Sequence, residues 1–150
     1  MIKVAVPGVN GRMGQAVVTE VMQSADMDLI VATARAGEQL GSKVAKSDVV
    51  VTNNISNSDF NVLIDFTLPM GVMEHLAFCR EHKIAMVIGT TGFTDEQLVA
   101  IKNAAADIPI VLSSNMSVGV NICFKLLASA SKMLSDQNWQ MGIIDLHHEH

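Results

Sequence analysis

The chain opens with an apolar strand, a glycine-rich turn and a helix-compatible stretch, and this order constrains the fold more than any other feature. The strand is Ile2–Val6, the turn is Gly8–Gly14 with the spacing G-x-x-G-x-x-G, and Gln15–Met22 follows at once. This arrangement points free backbone N–H groups and the positive end of a helix dipole at one spot, which suits a pyrophosphate. Glycine is needed there because a Cβ would block the tight turn and the close approach of phosphates. A plain tight turn before a helix is the alternative, since Asn10 stands where the commoner G-x-G-x-x-G pattern has its second glycine.

The rest of the chain alternates short β-branched runs with longer helix-like stretches. This alternation predicts an α/β fold, a Rossmann-like, doubly wound and mostly parallel sheet with helices on both faces. The expected strands are Ile2–Val6, Leu29–Thr33, Val49–Thr52, Val62–Phe66, Ala85–Ile88, Ile110–Leu112 and Gly142–Leu146. The expected helices are Met13–Ser24, Val72–His82, Asp95–Ala106 and Val118–Leu134. Thr94 with Gln97 three residues later predicts a capping box at the start of the third helix.

Length and composition favour a single globular domain over residues 1–150, which the glycine turn predicts to be a dinucleotide-binding domain. Hydrophobic residues make up 49% of the chain and charged residues 17%, which is typical of a compact protein rather than a disordered one. The net charge of −5 argues against nucleic acid as the main partner. No apolar run approaches the roughly 18 residues of a membrane span, and no signal-peptide layout opens the chain. Cys79 and Cys123 lie in apolar stretches without paired spacing, so we expect reduced core cysteines and a cytoplasmic protein.

Polar residues suited to a ligand follow most of the predicted strands. Ligands of a parallel α/β sheet bind beyond the carboxyl ends of its strands, so residues at those positions are the candidates for a site. They are Gly8–Gly14, Arg35, Thr67–Pro69, Gly89–Gly92, Ser113–Met116 and His147–His150. Their clustering along one predicted edge is stronger evidence than any single motif.

Arg35 bears on the choice of cofactor. A site selective for NADH usually has an acidic residue near the end of the second strand, to accept hydrogen bonds from the adenosine ribose. The short stretch Thr33-Ala34-Arg35 has none, and an arginine fork suits a phosphate dianion. The sequence therefore predicts a preference for NADPH over NADH, with a solvated arginine at a strand end as the alternative.

Three further groups have both a functional and a structural interpretation. The glycines and hydroxyls of Gly89–Gly92 can bond a carboxamide or a substrate carboxylate, although glycine–threonine turns are common. Phe66 and Thr67 can pack against a nicotinamide ring, or Phe66 can simply be a buried strand-end residue. Ser113–Asn115 precedes a long helix, where these side chains can cap the helix or contact the cofactor.

The closing residues His147–His150 suggest a metal site, but their alternation in an extended chain separates the possible ligands. We therefore expect no metal, and a histidine at a strand end beside a cofactor is better interpreted as a proton donor or substrate contact.

The sequence lacks the motifs of several other enzyme classes. The chain has no tyrosine, so the Tyr-x-x-x-Lys base of short-chain dehydrogenases is missing. The sequence also contains neither a P-loop nor a Gly-x-Ser-x-Gly nucleophile elbow.

Taken together, these motifs resemble the dihydrodipicolinate reductases, also called 4-hydroxy-tetrahydrodipicolinate reductases. The matching segments are V-A-V-P-G-V-N-G-R-M-G, I-D-F-T-L-P, V-I-G-T-T-G-F, S-N-M-S-V-G-V-N and D-L-H-H-E-H. They occur in the family's order and spacing and cover essentially the whole chain.

The resemblance implies hydride transfer from NADPH, or NADH, to a cyclic dihydrodipicolinate-type imine, yielding tetrahydrodipicolinate for lysine and diaminopimelate biosynthesis. It implies that His147 is the proton donor and that His148 binds the substrate, a small dicarboxylate. The expected cofactor-binding residues are Gly8, Val9, Asn10, Gly11, Arg12, Met13, Arg35, Phe66, Thr67, Gly89, Thr90, Thr91, Ser113, Ser114, Asn115 and Met116.

This sequence departs from the family most at its end. In the family a catalytic lysine follows His147-His148-Glu149-His150 directly, then an Asp-Ala-Pro-Ser-Gly-Thr segment that binds substrate carboxylates, and a second domain through which homotetramers form. We therefore expect this chain to be a dinucleotide-binding part that binds cofactor but is catalytically incomplete. A stand-alone dinucleotide-binding or redox-sensing module is the alternative function.

Overall fold

The computed structural model describes residues 1–44, 47–55, 59–134, 142 and 144. Its elements, in chain order, are β1 Ile2–Pro7, α1 Arg12–Gln23, β2 Met27–Thr33, β3 Val51–Thr52, β4 Val62–Asp65, α2 Pro69–His82, β5 Ala85–Ile88, α3 Asp95–Ala104, β6 Ile110–Leu112 and α4 Val118–Leu134. The predicted strand 142–146 lies mostly outside the described residues. The chain divides into two compact units, Met1–Ser114 and Asn115–His150.

The first unit contains one six-stranded sheet with the order β3-β2-β1-β4-β5-β6. All pairings between these strands are parallel. This is the strand order of the doubly wound dinucleotide-binding fold, in which the chain turns back between β1 and β4. The predicted fold class is therefore confirmed.

Two separate hydrophobic clusters show that helices cover both faces of the sheet. Side chains of a strand alternate between its faces, so Val4 and Val6 of β1 point to one side and Ala5 to the other. Val4 and Val6 belong to a cluster with α1, through Val18 and Val21. Ala5 belongs to a second cluster, formed with α2 and α3 through Leu76, Cys79, Ile101 and Ala104.

Local signals account for most element boundaries. The predicted capping box at α3 is present, since the Thr94 hydroxyl accepts a hydrogen bond from the Gln97 N–H and the Gln97 side chain bonds the Thr94 N–H. Helix α2 begins at Pro69, earlier than the predicted Val72, because proline is well suited to the first helical position.

Strand β3 is shorter than the predicted Val49–Thr52. The chain before it turns back on itself: the Val44 N–H donates to the Val49 carbonyl, and Lys43 pairs with Val50 in an antiparallel bridge. These backbone groups therefore bond locally, and only Val51 and Thr52 pair with β2.

The second unit is described mainly by α4, whose bounds agree with the predicted helix. Its start is organised by polar side chains of its own unit. The Ser117 hydroxyl accepts a hydrogen bond from the Val120 N–H at 3.4 Å, as an N-cap does, and the Asn115 side chain accepts from the Ser117 N–H at 2.8 Å. The capping residue is therefore Ser117, and Asn115 supports it from two residues before. In the described part of the chain, no helix combines the length and apolarity needed to cross a bilayer.

Candidate functional site

The glycine turn after β1 folds back tightly on the start of α1. Gly8 has a φ of +68°, which favours glycine, and its carbonyl accepts a hydrogen bond from the Gly11 N–H at 2.9 Å. A Cβ on Gly14 would overlap the Gly8 carbonyl oxygen and would lie 2.8 Å from the Cα of Val9. The Val9 N–H donates to the Thr33 carbonyl at 3.0 Å, which ties the turn to the end of β2.

The first turn of α1, which faces this loop, contains no acidic residue. It contains Arg12, Met13 and Gly14, and within the described residues no side chain caps its N–H groups. Uncapped N–H groups and the helix dipole attract anions. The absence of a Cβ at Gly14 and the uncapped helix start therefore fit a phosphate group at this turn.

The loop after β4 lies directly beside the glycine turn, at the point where the strand order reverses. The position that a Cβ of Gly8 would occupy is 3.0 Å from Cγ2 of Thr67. Strands β1 and β4 are neighbours in the sheet, so their carboxyl ends open into the same crevice. This crevice is where ligands bind in an open α/β sheet.

A buried carboxylate holds the loop after β4 in place. Asp65 is fully buried, and its Oδ1 accepts hydrogen bonds from the Thr67 N–H at 2.8 Å and the Thr67 hydroxyl at 2.7 Å. Its Oδ2 lies 2.6 Å from Nδ1 of His75 on α2. Because every one of these donors points at one carboxylate, Asp65 fixes both the Thr67 side chain and the approach of α2.

The same carboxylate affects a neighbouring thiol. Burial, and then the negative charge of Asp65, raises the pKa of Cys79 to about 12. Cys79 is buried, as predicted, whereas Cys123 is exposed rather than a core residue. That part of the cysteine prediction is wrong, because Cys123 lies on α4, none of whose described residues is buried.

The loop after β5 completes the crevice wall. The Thr90 hydroxyl donates to the Thr67 carbonyl at 2.6 Å, so this loop is bonded to the loop after β4. The half-buried Phe66 ring lies so close to Gly89 that a Cβ there would overlap it. Thr91 is exposed beside these residues. The structure thus brings the predicted residues of three loops together and leaves both interpretations of Phe66 open.

Ser113 and Ser114 follow β6 and line a cavity of about 380 Å³ together with Thr90 and Thr91. A larger cavity of about 530 Å³ lies elsewhere, along the first half of β2, and contains none of the predicted site residues. The strand ends, rather than cavity size, therefore identify the site. Asn115 and Met116 belong to the second unit, and the placement of these residues against the crevice remains a prediction.

Two contacts at the end of β2 were not anticipated from the sequence. Arg35 is exposed, and its Nε lies 3.2 Å from Oε1 of Glu38. Oε2 of Glu38 lies 3.3 Å from Nδ2 of Asn10 in the glycine turn. An acidic side chain is thus present near the end of β2, although none stands in the stretch 33–35.

The roles of Asp65 and His75 were likewise not anticipated from the sequence. The available signal was a single acidic residue ending the apolar run Val62–Ile64, since a buried charge needs partners. The predicted catalytic His147 and substrate-binding His148 lie outside the described residues. In the described ranges, no group of histidine, cysteine, aspartate or glutamate residues is placed to hold a metal ion.

Comparison with known proteins agrees with this geometry. Residues 2–116 match the model of the family described as dihydrodipicolinate reductase, N-terminus. Among solved structures, a dipicolinate-bound dihydrodipicolinate reductase from Paenisporosarcina sp. TG-14 is 31% identical and superposes with a TM-score of 0.75. The match covers 87% of this chain and 54% of that protein, so the chain spans about half the length of this relative. The family match extends over the six strands and the whole crevice, and the chain belongs to the dihydrodipicolinate reductase N-terminal family.

Proposed function

We propose that the crevice between the loops after β1, β4 and β5 binds a reduced nicotinamide dinucleotide, NADPH in preference to NADH. The observation that carries this proposal is the convergence of the uncapped start of α1, Thr67 and Thr90 at the point where the strand order reverses. The glycine turn would hold the pyrophosphate through main-chain N–H groups. Arg35, with the apolar Ala34 before it, supports the preference for a ribose that carries a 2′-phosphate.

The proposed reaction is the reduction of a cyclic dihydrodipicolinate-type imine to tetrahydrodipicolinate, in lysine and diaminopimelate biosynthesis. Family membership supports this reaction, and the relative solved with dipicolinate supports a cyclic dicarboxylate as the substrate class. Reduced nicotinamide supplies a hydride when bound. The chain's own residues would orient the cofactor, because Thr67 and Thr90 are fixed by hydrogen bonds before a ligand arrives, which lowers the entropy lost on binding.

His147 is proposed as the proton donor and His148 as a substrate contact. Negative charge develops toward the ring nitrogen of an imine when hydride adds to the conjugated system, and an imidazolium can supply the balancing proton near neutral pH. These two roles rest on the resemblance of the closing D-L-H-H-E-H segment to the family. We further propose that the 150-residue chain by itself binds cofactor and turns over little substrate.

Isothermal titration of the chain with NADPH and NADH tests the binding proposal without requiring turnover. We expect saturable binding of both cofactors, with the lower dissociation constant for NADPH. Equal affinities, or tighter binding of NADH, would contradict the preference, and no binding of either cofactor would contradict the function.

A turnover assay with the imine substrate, in which loss of reduced nicotinamide is monitored, distinguishes a complete enzyme from a cofactor-binding part. The stand-alone binding module remains the second candidate, and it predicts saturable cofactor binding with no loss of reduced nicotinamide when the imine is added.

A further inference from the structure

Glu38 lies where the glycine turn meets the end of β2. Its carboxylate contacts Arg35 through Oε1 at 3.2 Å and Asn10 through Oε2 at 3.3 Å. Its N–H also donates to the Arg35 carbonyl at 3.0 Å, so the two residues form one turn after β2. The Glu38 side chain is 33% exposed, whereas the Arg35 side chain is 82% exposed. The carboxylate therefore lies between the glycine turn and the end of β2, on the inner side of the arginine.

This place has a defined role in a dinucleotide-binding sheet. The pyrophosphate sits at the turn after β1, and the adenosine ribose lies beside the end of β2, where a carboxylate accepts from its 2′-hydroxyl or an arginine accommodates its 2′-phosphate. Here both groups are present at the same corner and are bonded to each other. Ala34, which precedes Arg35, offers no polar group to compete with them.

We propose that Glu38 is a specificity-determining residue that weakens the preference for NADPH. In this inference, which rests on the proposed cofactor site, the carboxylate accepts a hydrogen bond from the ribose 2′-hydroxyl of NADH. It repels the 2′-phosphate of NADPH and holds Arg35 in an ion pair that must open before the guanidinium binds that phosphate. The chain would then bind both cofactors, and its preference for NADPH would be smaller than it would be with Arg35 and no carboxylate beside it.

Electrostatics sets the expected size of the effect. Two unit charges about 4 Å apart in a water-like medium change an equilibrium constant about fivefold, and a 2′-phosphate carries nearly two negative charges. Removing the Glu38 charge should therefore tighten NADPH binding by roughly tenfold. Loss of the charge-assisted hydrogen bond to the ribose should leave NADH binding unchanged or weaker.

The test is cofactor titration of the full 150-residue chain with Glu38→Gln, which removes the charge and keeps the side-chain length. Glu20→Gln is the matched control, because Glu20 is an exposed glutamate on α1 and its substitution makes the same change in net charge. The measured quantity is the ratio of the NADH dissociation constant to the NADPH dissociation constant. We expect Glu38→Gln to raise this ratio by about tenfold or more, and Glu20→Gln to leave it within about twofold. Unchanged urea midpoints for both variants would show that the fold is intact.

Each other outcome overturns the inference in a recognisable way. Wild-type binding of both cofactors with an unchanged ratio in Glu38→Gln would remove Glu38 from the ribose corner and leave the proposed function standing. Weaker NADPH binding in Glu38→Gln would mean that the carboxylate serves only to position Arg35 for the phosphate. A wild-type chain that binds neither cofactor would overturn the proposed function and this inference with it.

Discussion

Replacing Gly14 with alanine tests whether close contact, rather than helix propensity, determines this position. Gly14 is the third residue of α1, where alanine would ordinarily stabilise a helix by about 1 kcal/mol relative to glycine. The new Cβ, however, would overlap the Gly8 carbonyl oxygen and would lie 2.8 Å from Cα of Val9. Ordinary contacts of a Cβ begin near 3.4 Å. The atoms it meets are backbone, so no side-chain rotation can relieve the overlap.

The overlap should outweigh the gain in propensity. Overpacking by one methyl group typically costs about 1–3 kcal/mol. Because the atoms that the new methyl group meets are backbone atoms with little room to move, we expect a cost at or above the upper end of this range. We therefore expect Gly14→Ala to lower the free energy of unfolding by about 2 kcal/mol after the propensity gain is included. With a urea m-value of about 1–3 kcal/mol per molar, the midpoint should fall by about 1 M.

Urea unfolding followed by far-ultraviolet circular dichroism measures this change. Ala16→Gly is the control, because Ala16 lies on an exposed part of the same helix and its substitution isolates propensity, with an expected loss of about 1 kcal/mol. A Gly14→Ala chain as stable as the wild type, or more stable, would refute the argument from close contact.

Three further predictions concern buried and charged groups. Asp65→Ala removes the hydrogen-bond acceptor of Thr67 and His75, so the free energy of unfolding, measured in urea, should fall by about 3 kcal/mol. As a control, replacing the exposed Asp59 with alanine should lower it by less than about 1 kcal/mol. Because the folded pKa of Cys79 is raised from 9.0 to about 12, its contribution to stability is fully present below pH 9 and is lost as pH rises from 9 to 12. Urea midpoints across this range should therefore fall less steeply in Cys79→Val, and identical slopes would contradict the prediction. Arg35→Ala should weaken NADPH binding by about tenfold and NADH binding little, and equal losses in titration would show that Arg35 does not contact the 2′-phosphate.

The fold was predictable because its signals are local. The sequence places apolar strands and helices in alternation, and the capping box of Thr94 and Gln97 spans only three residues. The glycine turn was likewise predictable, because the close contact that requires glycine is between Gly8 and Gly14, only six positions apart. Differences of a few residues occur where local hydrogen bonds compete with the sheet. Just before β3, for example, Val49 and Val50 bond or pair with Val44 and Lys43 instead of with β2.

The connections of the site were not predictable because they join distant parts of the chain. Glu38 reaches Asn10 across 28 positions, and Thr90 bonds Thr67 across 23. Neither spacing corresponds to a helix or hairpin period, so no pattern in one sequence indicates them. Only the parallel sheet, which gathers strand ends at one edge, makes these residues neighbours.

The buried carboxylate of Asp65 helps to position the loops at the carboxyl ends of the strands. It bonds Thr67, which packs beside Gly8 and whose carbonyl accepts a hydrogen bond from Thr90, so the loops after β1, β4 and β5 meet around one residue that this carboxylate holds. A site built from main-chain N–H groups and hydroxyls gains affinity by having its donors in place before the ligand arrives. Loss of the Asp65 carboxylate should therefore reduce cofactor affinity through the arrangement of these loops, even though no atom of Asp65 is exposed to meet the cofactor.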